Sequence, residues 1–117
     1  MKALLDKILV CGGRDFQDNG TLNKYLDFLK PSHVISGGAN GADTLSELYC
    51  NSRKIKCVVV PAQWDKHGKS AGFIRNQEMI DMKPDLVVAF WDGYSTGTKD
   101  TLSRAKRRGI TTIIVYY

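Results

Sequence analysis

"HVISGGANGADTLSELY", residues 33–49, holds three kinds of sequence in direct succession. His33 to Ser36 is a short β-branched run. Gly37, Gly38 and Gly41 then crowd one turn, after which Ala42, Leu45, Leu48 and Tyr49 nearly follow the three-and-four spacing of one helical face. The stretch therefore reads as strand, glycine turn and helix. The succession recurs along the chain, with apolar runs "KILVC" (7–11), "KCVVV" (56–60), "DLVVAF" (85–90) and "TTIIVYY" (111–117) and helical segments between them. Near-continuous apolar strands alternating with helices signal a parallel sheet covered on both faces.

The remaining helices are read with the same rules. Leu22, Tyr25, Leu26 and Leu29 share one face, and Pro31 stops that helix. Helices over about 70–82 and 96–108 rest more on their polar starts than on apolar period. A chain of 117 residues with 43% hydrophobic and 25% charged residues is expected to form one domain, residues 1–117, with a packed core.

The two ends of the inferred sheet differ. Turns from helix into strand are short: "KPS", "RKI", "MKP", "RG". Those from strand into helix are long, "GGRDFQDNG", "GGAN", "PAQWDKHGK" and "WDGYSTG", and every glycine of the eleven except Gly109 lies in or beside them. Ligands of open α/β sheets bind outside the carboxyl ends of the strands. One rim is thus expected to carry function.

In "SGGANGAD" (36–43) the glycines let a ligand, phosphate above all, approach the backbone amides at a helix start. The plainer alternative is a tight turn and close helix packing, with Asn40 and Asp43 as caps. The fourth loop, "GYSTGTKD" (93–100), repeats the arrangement and favours the ligand.

Several motifs fail. The dinucleotide fingerprint G-x-G-x-x-G is absent. "HGKSAG" ends like a P-loop, but Gln63 stands where its first glycine belongs. His33 and His67 lack partners at ligand spacing, no metal site is expected, and no Ser/His/Asp set can be assembled. Cys11, Cys50 and Cys57 fit neither a disulfide framework nor a CxxC site, so they are expected as reduced thiols. No apolar run approaches the roughly 18 residues of a membrane span, and Met1 to Cys11 is too short for a signal peptide. A cytoplasmic location and no membrane partner are the expectation. The net charge of +5 suits an anionic partner, yet Lys106, Arg107 and Arg108 also suit the carbonyl end of a helix.

Taken together, "VCGGRDF", "SGGANGAD", "PAQWDKHGKSAGFIRNQEM" and "DLVVAFWDGYSTGT" resemble the YspA-type (DUF2493) branch of the SLOG superfamily, from about residue 7 to 115. That superfamily includes the LOG phosphoribohydrolases and the DprA/Smf proteins. The resemblance implies a Rossmann-like three-layer sandwich with a five-stranded, mostly parallel sheet whose glycine-rich loops bind nucleotides or nucleotide-derived ligands. LOG enzymes cut the N-glycosidic bond of nucleoside monophosphates, with an R-K-x-x-M helix and a P-G-G-x-G-T-x-x-E segment. Arg75 to Met79 resembles the first, with Asn76 for the lysine, and Gly97-Thr98 resembles part of the second. Thr101 stands where the glutamate belongs. Asp100 is adjacent, but one helical position turns a side chain by about 100°.

The expected site follows. Gly37, Gly38, Ala39 and Gly41, with Gly93, Ser95, Gly97 and Thr98, surround a phosphate, and Arg75 adds a charge-assisted contact. Gly12, Gly13, Arg14 and Asp15 address ribose or a second phosphate, with Asp43, Asn76 and Asp92 beside them. Trp64, Trp91 or Tyr94 stacks on a base. Arg75 and Asp100 are the catalytic candidates if any bond is cut. The leading expectation is a sensor or sequestering protein that requires no cofactor and binds a nucleotide ligand. A nucleoside-monophosphate N-glycosidase is the alternative, and DprA-like single-strand DNA binding a second. Relatives being commonly homo-oligomeric, so is this chain expected to be.

Overall fold

The computed structural model describes residues 6–117. Residues 1–5 of the expected domain lie outside the described residues. Five strands, β1 (Lys7–Gly12), β2 (His33–Ser36), β3 (Lys56–Val59), β4 (Leu86–Trp91) and β5 (Thr111–Tyr116), form one sheet in the order β3-β2-β1-β4-β5. Every pairing is parallel, so the sheet is more uniform than the mostly parallel one expected. The helices are α1 (Asn19–Leu29), α2 (Ala42–Arg53), α3 (Trp64–His67), α4 (Ala71–Asp81) and α5 (Thr96–Arg107).

The central strands explain the apolar runs. Ile8, Leu9 and Val10 of β1 and Val87 to Phe90 of β4 are all fully buried, because both faces of these strands are covered. Alternate residues divide between two cores. Ile8, Val10, Val34, Val88 and Phe90 pack with Leu22 and Leu26 of α1 and Tyr49 and Cys50 of α2. Leu9, Ile35, Val87 and Ala89 pack with Met79 and Ile80 of α4 and Leu102 and Ala105 of α5. Each fully buried leucine or isoleucine contributes about 1.5–3 kcal/mol. The three-layer Rossmann-like sandwich is thereby established.

Local chemistry sets the helix ends. Asp18 accepts from Thr21 N at 3.0 Å and caps α1. Lys30 then turns left-handed, with φ of 52°, and its N–H closes on Leu26 O at 2.8 Å just before Pro31. Basic residues Arg104, Lys106 and Arg107 sit in the last turn of α5, where they meet the carbonyl end of the dipole. The third long loop departs from expectation, since Trp64–His67 forms α3 and Gly68–Ser70 a 3₁₀ turn. Four residues are too few to show a period.

The chain leaves β1 toward β2 on one side and later returns to β4 on the other. The carboxyl ends of β1 and β4 therefore flank the switch in strand order, where such sheets open a crevice.

Candidate functional site

At the end of β1, Gly13 N donates to Phe90 O at 3.0 Å, and Gly13 O accepts from Ala42 N at 3.2 Å. A side chain on Gly12 would strike the Phe90 carbonyl and Ala42 Cβ. Gly41 has φ of +76°, and a Cβ there would run into the carbonyls of Gly13 and Arg14. Gly38, with φ of +73°, would bring a Cβ within 3.0 Å of Val59. The close approach read from "SGGANGAD" is thus real, but the approaching groups are the protein's own. Gly13 O takes the Ala42 amide at the start of α2, and close packing constrains Gly38 and Gly41.

Gly37 faces the Arg75 guanidinium. Arg75 reaches back from α4, donating to Gly37 O at 2.5 Å and through Nε to Asn76 Oδ1 at 3.0 Å. Buried Asn76 donates in turn to Gly97 O at 3.3 Å and to Asp100 Oδ2 at 3.1 Å. One amide thus ties α4 to the first turn of α5 and steadies the arginine.

Between these elements lies a cleft of about 570 Å³. The first loop contributes Gly12, Gly13, Arg14 and Asp15, the second Ala39 and Asp43. Trp64, Arg75 and Asn76 form a further wall, and Asp92, Ser95, Gly97 and Thr98 close it from the fourth loop. Gly37 and Gly38 line a smaller adjoining lobe of about 360 Å³, with Asn40, Pro61 and Ala62. Both glycine loops therefore reach one opening. Gly41, Gly93 and Asp100 line neither lobe. Asp100 is turned to Arg104 Nε at 2.7 Å, so this catalytic candidate points to a partner on its own helix. Thr101 does line the cleft, and its hydroxyl donates to Gly97 O at 3.3 Å.

The carboxylates of the cleft are all engaged by uncharged donors. Asp43, 8% exposed, accepts from Ala39 N at 3.1 Å, which folds the loop rather than capping α2. Burial pushes its carboxyl up to about 6, against the amides and Arg75, which favour the charged form. Asp92 takes the amides of Tyr94 and Ser95, each at 2.8 Å, which hold its pKa below the ordinary value. Asp15 accepts from the Tyr117 hydroxyl. No ion pair joins Arg14, Lys69 or Arg75 to a carboxylate among the described residues. No side chain caps α5, so the first-turn amides of Thr96, Gly97 and Thr98 lack an intrahelical acceptor beside the opening. Cations and open amides together make the rim attractive to an anion.

The aromatic candidates separate clearly. Trp64 lines the cleft and is half exposed. Trp91 stacks on Tyr116 with centroids 6.0 Å apart and donates to Ser95 O at 3.0 Å, so it braces the fourth loop. Tyr94 is 87% exposed and outside the cleft. Phe73 and Lys69 line the opening, and neither figured among the expected residues. Phe73 lies seven positions before buried Ile80 and shares its helical face, so periodicity assigns it to the core. It stands in the first turn of α4 and is 46% exposed. Buried Cys11 forms part of the floor, where desolvation pushes its thiol far up. Among the described residues no group of three or more His, Cys, Asp or Glu side chains could hold a metal ion, and no helix is long and apolar enough to cross a membrane.

Comparison with known proteins places this architecture. The chain is similar to DNA processing protein A (DprA) from Streptococcus pneumoniae, with a TM-score of 0.76 at 18% identity over 96% of this chain and 51% of that one. It thus spans about half the length of that structure. The gene 61 protein of Mycobacterium phage D29 is 34% identical over 117 residues, 92% of this chain and 94% of that protein. The family model described as "YspA, cpYpsA-related SLOG family" matches residues 6–67, which run from β1 through the first and second loops to α3 and stop short of the fourth loop. With that match over more than half its length, this chain belongs to the YspA, cpYpsA-related SLOG family.

Proposed function

We propose that the cleft binds a nucleotide or nucleotide-derived ligand and that the chain acts as a sensor or sequestering protein. The observation that carries this reading is an open cleft, lined from the first, second and fourth loops, whose cations touch no carboxylate. In this reading the amides of Gly97 and Thr98 and the guanidinium of Arg75 take phosphate, and the faces of Trp64 and Phe73 take a base. Calorimetry with mono-, di- and cyclic nucleotides tests it. Binding by some member, weakened about ten-fold or more in Arg75→Ala, is expected from loss of a charge-assisted contact. Silence across the panel overturns the reading.

One observation favours a hydrolase as second reading: buried Asp43 lines the cleft with its carboxyl pushed up to about 6, within range for proton transfer near neutrality. Thr101 at the position of the LOG-type glutamate weighs against it. Release of free base from nucleoside monophosphates would decide for turnover. Single-strand DNA binding ranks lower, because Lys106 and Arg107 sit at the carboxyl end of α5, away from the rim. A gel shift that weakens steeply with salt would raise it. Self-association through the sheet margins β3 and β5, where Val59 and Tyr116 are exposed, is a separate proposal that light scattering checks.

A further inference from the structure

The two lobes of the opening share a waist. Arg14, Ala39, Trp64 and Arg75 line both the lobe of about 570 Å³ and that of about 360 Å³. The smaller lobe has a different lining: the Gly37-Gly38 backbone, Asn40, Pro61 and Ala62. It offers backbone groups and one amide side chain but, apart from Trp64 at the waist, no aromatic face. The larger lobe adds Phe73 and the first turn of α5.

The waist is electrostatically unfinished. Arg14 is exposed and makes no ion pair among the described residues. Arg75 donates only to neutral acceptors, Gly37 O and Asn76 Oδ1. Burial is the largest influence on Arg75 and lowers its pKa, Asp43 opposes it, and the charge of Arg14 lowers it further by a smaller amount. The two guanidiniums line the same waist, so each feels the charge of the other. Asp43 and Glu78 offset part of this charge without forming an ion pair among the described residues, and the Ala39 amide already holds Asp43. Two guanidiniums lining one waist, neither in an ion pair among those residues, favour an anion lying between them.

A single terminal phosphate would leave one lobe unfilled. Each lobe falls within or close to the range of about 300–1,000 Å³ usual for small-molecule sites. We propose that the ligand carries its charge in the middle: a nucleoside diphosphate joined to a second, sugar-like group, with the diphosphate across Arg14 and Arg75, the nucleoside in the larger lobe and the polar group in the smaller. This rests on the cleft being the nucleotide site. It also accounts for a diphosphate site without a glycine fingerprint, because Gly13 O occupies the leading amide of α2, that of Ala42, and side chains take over the anion.

The test is calorimetry with AMP, ADP and ADP-glucose, and with UMP, UDP and UDP-glucose. For the preferred base, the nucleotide sugar is expected to bind at least about ten-fold tighter than the monophosphate, as one further charge-assisted contact and a filled lobe require. Arg14→Ala, at an exposed position, should bring that ratio down to about three-fold or less. Ala62→Trp, which fills the smaller lobe, should do the same, and Asn40→Trp gives an independent obstruction. Thermal melts confirm that the variants fold. If monophosphate and nucleotide sugar bind equally, or both obstructions leave the ratio intact, the inference fails while the cleft remains a nucleotide site. If no compound binds, the cleft reading falls with it.

Discussion

Asn76 Nδ2 lies 3.1 Å from Asp100 Oδ2, so a side chain of α4 holds a carboxylate of α5 and, through its own oxygen, the Nε of Arg75. Replacing it with alanine strips partners from Gly97 O, Asp100 and Arg75 together. Asn76→Ala is expected to lower stability by about 1–3 kcal/mol in urea denaturation, the usual cost of unpaired buried polar groups. Ligand affinity should fall too, since Arg75 loses its brace.

Two glycines of the rim should respond in opposite ways. Gly41→Ala forces a side chain into φ of +76° and against the Gly13 and Arg14 carbonyls, and should cost at least about 2 kcal/mol. Gly97→Ala meets nothing within 4 Å in the first turn of α5 and should leave stability unchanged or raise it by up to about 1 kcal/mol. Its methyl enters the proposed phosphate position, so affinity should drop. Paired thermal melts and calorimetry check both.

Asp43 makes stability depend on pH. Its folded pKa, about 6, lies above the ordinary 3.8, so between these values the folded chain binds more protons than the unfolded one. Its contribution is complete below pH 3.8 and is lost as pH rises through 6. The loss is on the order of 3 kcal/mol. Asp43→Asn keeps an oxygen for the Ala39 amide and should flatten this component in denaturation curves taken across pH 4–7.

Cysteine labelling should be ordered. Cys57 is partly exposed, and a hydrogen bond from Cys50 lowers its pKa, whereas that same bond raises Cys50 and burial raises Cys11. Brief treatment with iodoacetamide near pH 7.5 is expected to modify Cys57 at least about ten-fold faster than the other two. Peptide mass spectrometry reads the order directly.

The strands were legible because β1 and β4 are covered on both faces and must be apolar throughout, while the long loops marked the functional rim. What spacing could not convey was the identity of each neighbour. Gly41 and Gly97 look alike as glycines beside helix starts, yet one is pressed by Gly13 and Arg14 and the other stands open. Asp100 and Asp43 are both carboxylates near arginines, but Arg104, one turn along the same helix, claims the first, and only the second lines the cleft. Phe73 was hidden because helical period describes which side of α4 it occupies, not how fully that side is covered at the first turn.

The two apolar clusters lie on opposite sides of the sheet, and Arg75 reaches over its rim to Gly37. Among the described residues the two helical layers thus share few direct contacts across that rim beyond Arg75. A solute gripped from both sides would act as a keystone, and amide exchange should then slow in α2 and α4 in step, joining two local motions into one.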